Sequence, residues 1–173
     1  MIKEIIKYPN LVLKKKCREV KEVTEEIRNL GQAMIESMTE SQGLGIAAPQ
    51  VGELKRIIAV HLVKERGSEA KVEVEPRVFI NPKIVKRSKE DELEEEGCLS
   101  FPGLWLKIKR ASRVEIEALN EKGEKIHLEA QGLPARILQH EIDHLDGILF
   151  IDRISFWQKW KNRKKLKQRV PAA

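Results

Sequence analysis

Between Thr24 and Ser41 the apolar residues Ile27, Leu30, Met34 and Met38 recur at helical spacing, which predicts a helix with one buried stripe. Thr24 is suited to cap it, and Glu25 and Glu26 to sit at its positive end. The helix should stop before GLGIAAPQVG, residues 43 to 52, whose glycines and proline favour a loop. RIIAVHLV, residues 56 to 63, is a β-branched apolar run of strand length, and VFINP and KIVKRS predict two further strands. From Arg113 to Ala130 apolar and polar positions alternate on both sides of NEKGE, the pattern of an antiparallel hairpin. After Leu133 the period changes again: Pro134 suits a first helical turn, Ile137, Leu138, Ile142 and Leu145 form a stripe, and Gly147 ends it. Ser155 is placed to cap a last helix running to about Gln168. Helix, strands, helix, helix without βαβ alternation predicts an α+β fold: antiparallel or mixed sheets packed around a central helix at 133 to 146, with an N-terminal helix and a basic C-terminal one.

The 173 residues suit one core, and 41% hydrophobic content is adequate to fill it. The net charge of +6 is unevenly distributed: from Arg153 onward there are eight Lys or Arg and no acid, leaving 25 basic against 27 acidic residues before it. Residues 1–154 therefore read as a single, nearly neutral domain and 155–173 as a basic helical tail, the part suited to a polyanion. Two cysteines, Cys17 and Cys98, make no disulfide framework and fit a reducing compartment. No apolar run reaches membrane-spanning length, and charged residues interrupt the opening MIKEIIKYPN where a signal peptide would be apolar, so a cytoplasmic protein with no membrane partner is expected.

The chemistry concentrates in HEIDH. His140 and His144 stand at i and i+4, on one face of the predicted helix, with Glu141 beside the first. A third ligand must come from elsewhere. No GxxH extension follows His144, and no glutamate occurs after Glu141, which removes the downstream ligands of two metalloprotease classes. His61 lies in an apolar strand run and His127 in the hairpin, both suited to structural roles. Cys98 in EEEGCLSFPG is the best upstream candidate, because a thiolate binds divalent metals strongly and Gly97 leaves room for close approach.

GLGIAAPQVG, EGCLS and QHEIDHLDG resemble, in order and spacing, the three motifs of peptide deformylases, and the likeness extends from IIKYPN to about Ile154. The resemblance implies removal of the N-formyl group from the initiator methionine of nascent polypeptides, releasing formate. It implies Cys98, His140 and His144 as ligands of Fe2+, for which Ni2+, Co2+ or Zn2+ can substitute, Glu141 as general acid and base, and Gln50 and Leu99 as helpers at the carbonyl. It further implies a tail that docks on the ribosome near the exit of the nascent chain.

This set suits amide hydrolysis. Three protein ligands leave a position for water, whose pKa a metal lowers from 15.7 to about 7. Glu141 is placed to take the water proton and deliver it to the leaving amine. The Gln50 amide and the Leu99 backbone N–H suit an oxyanion hole. Gly43, Leu44 and Gly45 permit close backbone approach and pairing with a substrate strand, and Glu96 and Gly97 flank the other side. Asp143 is placed to pair with Arg110 or Arg136, and Ser100, Phe101 and Pro102 to shape the entrance. GLWLKIKR puts Trp105 where many deformylases carry an arginine, which predicts a more apolar rim. Phe156, Trp157 and Trp160 are expected to dock the last helix onto the body. Two other functions use the same residues: a small HExxH metalloprotease cutting internal bonds, and a ribosome- or RNA-binding module whose metal is structural. A closed structural site normally has four protein ligands, and three are evident.

Overall fold

The computed structural model describes residues 1–64 and 73–163. Three helices, α1 (Glu25–Glu40), α2 (Leu133–Leu145) and α3 (Phe156–Lys161), join seven strands: β1 (Gly45–Ala47), β2 (Ile57–Lys64), β3 (Glu73–Arg87), β4 (Asp91–Cys98), β5 (Phe101–Ala111), β6 (Arg113–Leu119) and β7 (Lys125–Gln131). Five strands form an antiparallel sheet in the order β1-β2-β3-β6-β7, and β4 and β5 form a separate antiparallel ribbon.

The uninterrupted apolar run of β2 follows from burial on both faces. Ile57 and Ala59 join the α1 stripe of Ile27, Leu30, Met34 and Met38 in one core cluster. Ile58 and Val60 join Phe79, Val114, Ile116 and the α2 residues Leu138 and Ile142 in another. The sheet therefore separates the two long helices. A third cluster gathers Leu104, Leu106 and Ile108 of β5 with Leu13, Phe150 and Ile154, fastening the ribbon to the rest.

The expected helix boundaries at Thr24 and Leu133 hold, with the Thr24 hydroxyl accepting from Ile27 N and proline in the first turn of α2. The expected hairpin is β6–β7, in register at Ala118 and Ile126. Three features differ. GLGIAAPQVG is not wholly loop: Gly45–Ala47 form edge strand β1, and Ala48–Val51 a helical turn. VFINP and KIVKRS are one strand, bent by register shifts around Pro82, where Asn81 at φ 53° holds Val20 through both its amide groups. The β4–β5 ribbon has no apolar alternation in β4, because that strand pairs Glu95 with Lys107 and Leu93 with Lys109 on a solvent face.

The expectation that Phe156, Trp157 and Trp160 dock the last helix is corrected: all three are exposed. α3 is held instead by its Ser155 cap and by Gln158 donating to Lys107 O at 3.1 Å. The predicted continuation toward Gln168 lies outside the described residues. Among the described residues no helix is long and apolar enough to cross a membrane.

Candidate active site

Helical spacing puts His140 and His144 on one face of α2, their ring centroids 5.0 Å apart. Cys98 reaches the same point from the end of β4, which leads into the tight Leu99–Ser100 turn before β5. Its Sγ lies 3.3 Å from His144 Nε2, and the donor atoms of Cys98, His140 and His144 all fall within 4.8 Å of one another. A soft sulfur and two imidazoles converging at a buried point form a donor set that fits a divalent transition metal.

The group is oriented from behind. His140 Nδ1–H donates to Glu96 Oε2 at 2.9 Å, which fixes the tautomer and turns Nε2 toward the sulfur. Glu96 also accepts from Arg110 Nε at 2.8 Å and Nη2 at 3.0 Å, and from Arg136 Nη1 at 2.8 Å. Burial works against the Glu96 charge, but His140 and Arg110 outweigh it and hold the carboxyl far below its usual range. Burial likewise opposes charge on His140, yet hydrogen bonds to Cys98 and Glu96 raise its pKa well above that of free imidazole. His144 moves the other way, lowered by burial and by the charge of its neighbour. Its Nδ1 has no partner among the described residues.

Glu141, next along the helix, is buried, and its Oε2 is unpartnered among the described residues. Burial pushes its carboxyl up to about 7, where a proton is readily accepted and returned. Across from it, Gln50 is anchored by Ala47 N donating to Oε1 at 2.8 Å. Its Nε2 donates to Ser100 Oγ at 3.1 Å and more weakly to Cys98 Sγ at 3.5 Å. Glu141, Gln50, Cys98 and His140 line a cavity of about 720 Å³ together with Gly43, Leu44, Gly45, Gly97, Leu99, Phe101, Pro102 and Trp105, whereas Ser100, expected at the entrance, is buried behind Gln50.

Gly43 and Gly97 sit in close contact with side chains that would have to shift if either position carried a methyl group. A methyl group at position 43 would come within 2.7 Å of Leu99 Cδ1, and one at Gly97 within 3.1 Å of the Trp105 ring. Trp105, Leu44 and Leu133 are exposed at the cavity, giving an apolar rim. Glu96 lines the cavity too, but its carboxylate is committed to His140, Arg110 and Arg136, so it acts on a candidate ligand rather than through its charge on substrate.

Sequence reasoning pairs Asp143 with Arg110 or Arg136. The structure gives it Arg110 and Arg153, while Arg136 serves Glu96 and the carbonyls of Ile108 and Glu92. Arg153 stands in the sequence only as the first residue of the basic run, with no signal that it reaches Asp143. Lys7 gives none, yet its ammonium donates to Leu99 O at 2.8 Å while Ile6 N and Tyr8 N donate to Gln50 O and Ser100 O. The N-terminal segment thus ties together the two turns that carry Gln50 and Leu99.

Comparison with known proteins agrees with this geometry. The family model described as polypeptide deformylase matches residues 2–160. The chain is 47% identical over 165 residues to a peptide deformylase of Neisseria gonorrhoeae, covering 95% of this chain and 94% of that protein. It is 47% identical over 166 residues to one of Thermodesulfovibrio yellowstonii, covering 96% and 97%. The crystal structure of peptide deformylase from Ehrlichia chaffeensis superposes with a TM-score of 0.85 at 38% identity, covering 97% of each chain. A cavity that gathers Cys98, the HEIDH helix and Gln50, in a fold shared over nearly its whole length with these proteins, makes the chain a member of the polypeptide deformylase family and an enzyme of the hydrolase class.

Proposed function

We propose that the chain hydrolyses the N-formyl group of formylmethionyl peptides, with Cys98, His140 and His144 holding ferrous iron and Glu141 moving the proton. The observation that carries this reading is the convergence of the three donors, two of which, Cys98 and His140, line one cavity with Glu141, whose Oε2 has no partner among the described residues. The family is metal-dependent, and a bound divalent cation supplies Lewis-acid polarisation and lowers the pKa of a coordinated water from 15.7 to about 7.

The protein's own groups do the rest. Glu141 takes the proton of the attacking water as the new C–O bond forms at the formyl carbon, then gives it to the amine nitrogen as the C–N bond breaks. Formate and the free amino terminus are the products. Charge developing on the formyl oxygen is met by the Gln50 amide, whose bond to Cys98 Sγ is the weaker of its two, and by the Leu99 backbone N–H. Removing one such donor typically costs about 10²- to 10³-fold in rate.

Substrate binding follows from β1. It lies at the edge of the five-stranded sheet and lines the cavity through Gly45, so an extended peptide can pair with it while its methionine side chain enters between Ile137, Leu104 and Leu133. The basic residues after Arg153 suit contact with RNA phosphates on the ribosome, in a cytoplasmic enzyme whose body (1–154) carries the chemistry and whose tail (155–173) carries the docking.

The test is formate release from formyl-Met-Ala-Ser by the iron-loaded protein under anaerobic conditions, with the unformylated peptide and longer peptides as controls. Formate without new internal amines is expected, and Glu141→Gln should retain the metal while losing turnover. Cleavage of internal bonds would assign the site to a protease; metal retention with no hydrolysis at all would leave it structural.

A further inference from the structure

Arg153 lies outside the cavity lining, yet it is joined to His140 by an unbroken series of charged hydrogen bonds. Its Nε donates to Asp143 Oδ2 at 3.0 Å and its Nη2 to Oδ1 of the same carboxylate. Asp143 Oδ2 also accepts from Arg110 Nη1. Arg110 in turn grips Glu96 with Nε and Nη2, and Glu96 Oε2 holds the Nδ1–H of His140. Arg110, Glu96 and Asp143 are each at least nine-tenths buried by side chain, whereas Arg153 is 41% exposed.

Both arginines meet their carboxylates with two nitrogens, and a planar fork on a planar carboxylate fixes orientation as well as distance. Arg110 is shared between two anions. With Arg153 in place Asp143 has a second cation, and Arg110 is free to keep both its Nε and Nη2 on Glu96. Without Arg153, Asp143 would be a buried carboxylate with one cation, drawing Arg110 toward itself and away from Glu96. Glu96 is what orients His140.

We propose that Arg153 is a positioning residue of the hydrolytic site, acting through Asp143, Arg110 and Glu96 on the His140 imidazole. The inference rests on His140 being a metal ligand. Arg153 also sits two residues before Ser155, the cap of α3, so the one exposed member of the series lies where the basic tail leaves the body.

The full-length protein loaded with Co2+ tests it in three forms: wild type, Arg153→Ala and Arg153→Lys. For Arg153→Ala, kcat on formyl-Met-Ala-Ser should fall about 3- to 10-fold, less than the 10- to 100-fold of a direct partner of a ligand, with KM within about twofold. Loss of Co2+ to a chelator should accelerate by a similar factor, and the visible spectrum of the cobalt form should shift. Arg153→Lys, which keeps the charge but not the fork, should fall between the two, and it keeps the test open if the alanine variant fails to fold. Wild-type kcat, metal release and spectrum in either folded variant would overturn the proposal, even if the melting temperature dropped. Should the wild type release no formate, the hydrolytic reading fails first, and the chelator and spectral measurements still decide whether Arg153 acts on the metal ligand.

Discussion

Gly45 of β1 lies directly against the side chain of Glu141 on α2: a methyl group at position 45 would sit within 2.8 Å of Glu141 Cγ and still closer to its Oε1. Gly45 is in a strand and has no left-handed backbone, so alanine is conformationally acceptable there and its only penalty is this contact. Gly45→Ala should therefore displace the Glu141 carboxyl while leaving the fold intact. A displacement of about 1 Å can cost about 10²-fold in rate. Steady-state formate release should show that loss in kcat, with a melting temperature close to wild type. Unchanged kcat would mean that the position of Glu141 is not set by β1.

Glu96 is the acceptor that orients His140, so Glu96→Gln keeps its shape while removing the charge that holds Arg110 and Arg136. Loss of such a partner typically costs 10- to 100-fold in metal affinity or activity. The metal content of the variant after dialysis against a graded chelator should fall at correspondingly lower chelator concentration than for wild type. Equal retention would remove Glu96 from the support of the site.

The motifs around Gly45, Cys98 and His140 were legible because spacing on a helix and glycine at points of close approach are local properties of the chain. So were α1, α2 and the β6–β7 hairpin, whose apolar periods are undisturbed. The β4–β5 ribbon was hidden because β4 carries Glu92, Glu94 and Glu95 in exposed positions and is held by its ladder with β5 rather than by burying an apolar face, and such pairing leaves no period in one strand alone. Asp143 shows the same limit within the site. Its choice of Arg153 over Arg136 depends on how the segment after α2 folds back, which no spacing along the sequence encodes. The aromatic residues of α3 misled in the opposite direction, since their size predicts docking whereas a capping serine and one glutamine hold the helix.

A thiolate beside ferrous iron is open to oxidation of both metal and sulfur. The iron-loaded protein should lose formate-releasing activity in air, while the nickel-loaded protein keeps it over the same period. Reductant and fresh iron should restore the iron form if oxidation stops at the metal or at a reversible state of Cys98. Equal persistence of the two forms in air would argue against iron held by Cys98.

Cys17 provides a pH dependence away from the site. It lies in the core cluster beneath α2, its backbone N–H donating to Leu145 O at 2.8 Å. Burial raises its thiol from an ordinary 9.0 to about 11, with Arg56 opposing the shift and Asp146 adding to it. The neutral thiol is the form the fold favours, so its contribution to stability is complete below pH 9.0 and is lost as pH rises toward about 11, where the unfolded chain has already released its proton. Over that window the unfolding free energy from urea titration should fall more steeply for wild type than for Cys17→Ala, which lacks the group. The folded protein should also resist alkylation of Cys17 near pH 8 and react once unfolded, because thiolate is the nucleophile. Identical slopes for the two proteins, or rapid alkylation in the native state, would show that the thiol is neither shielded nor held neutral by the core.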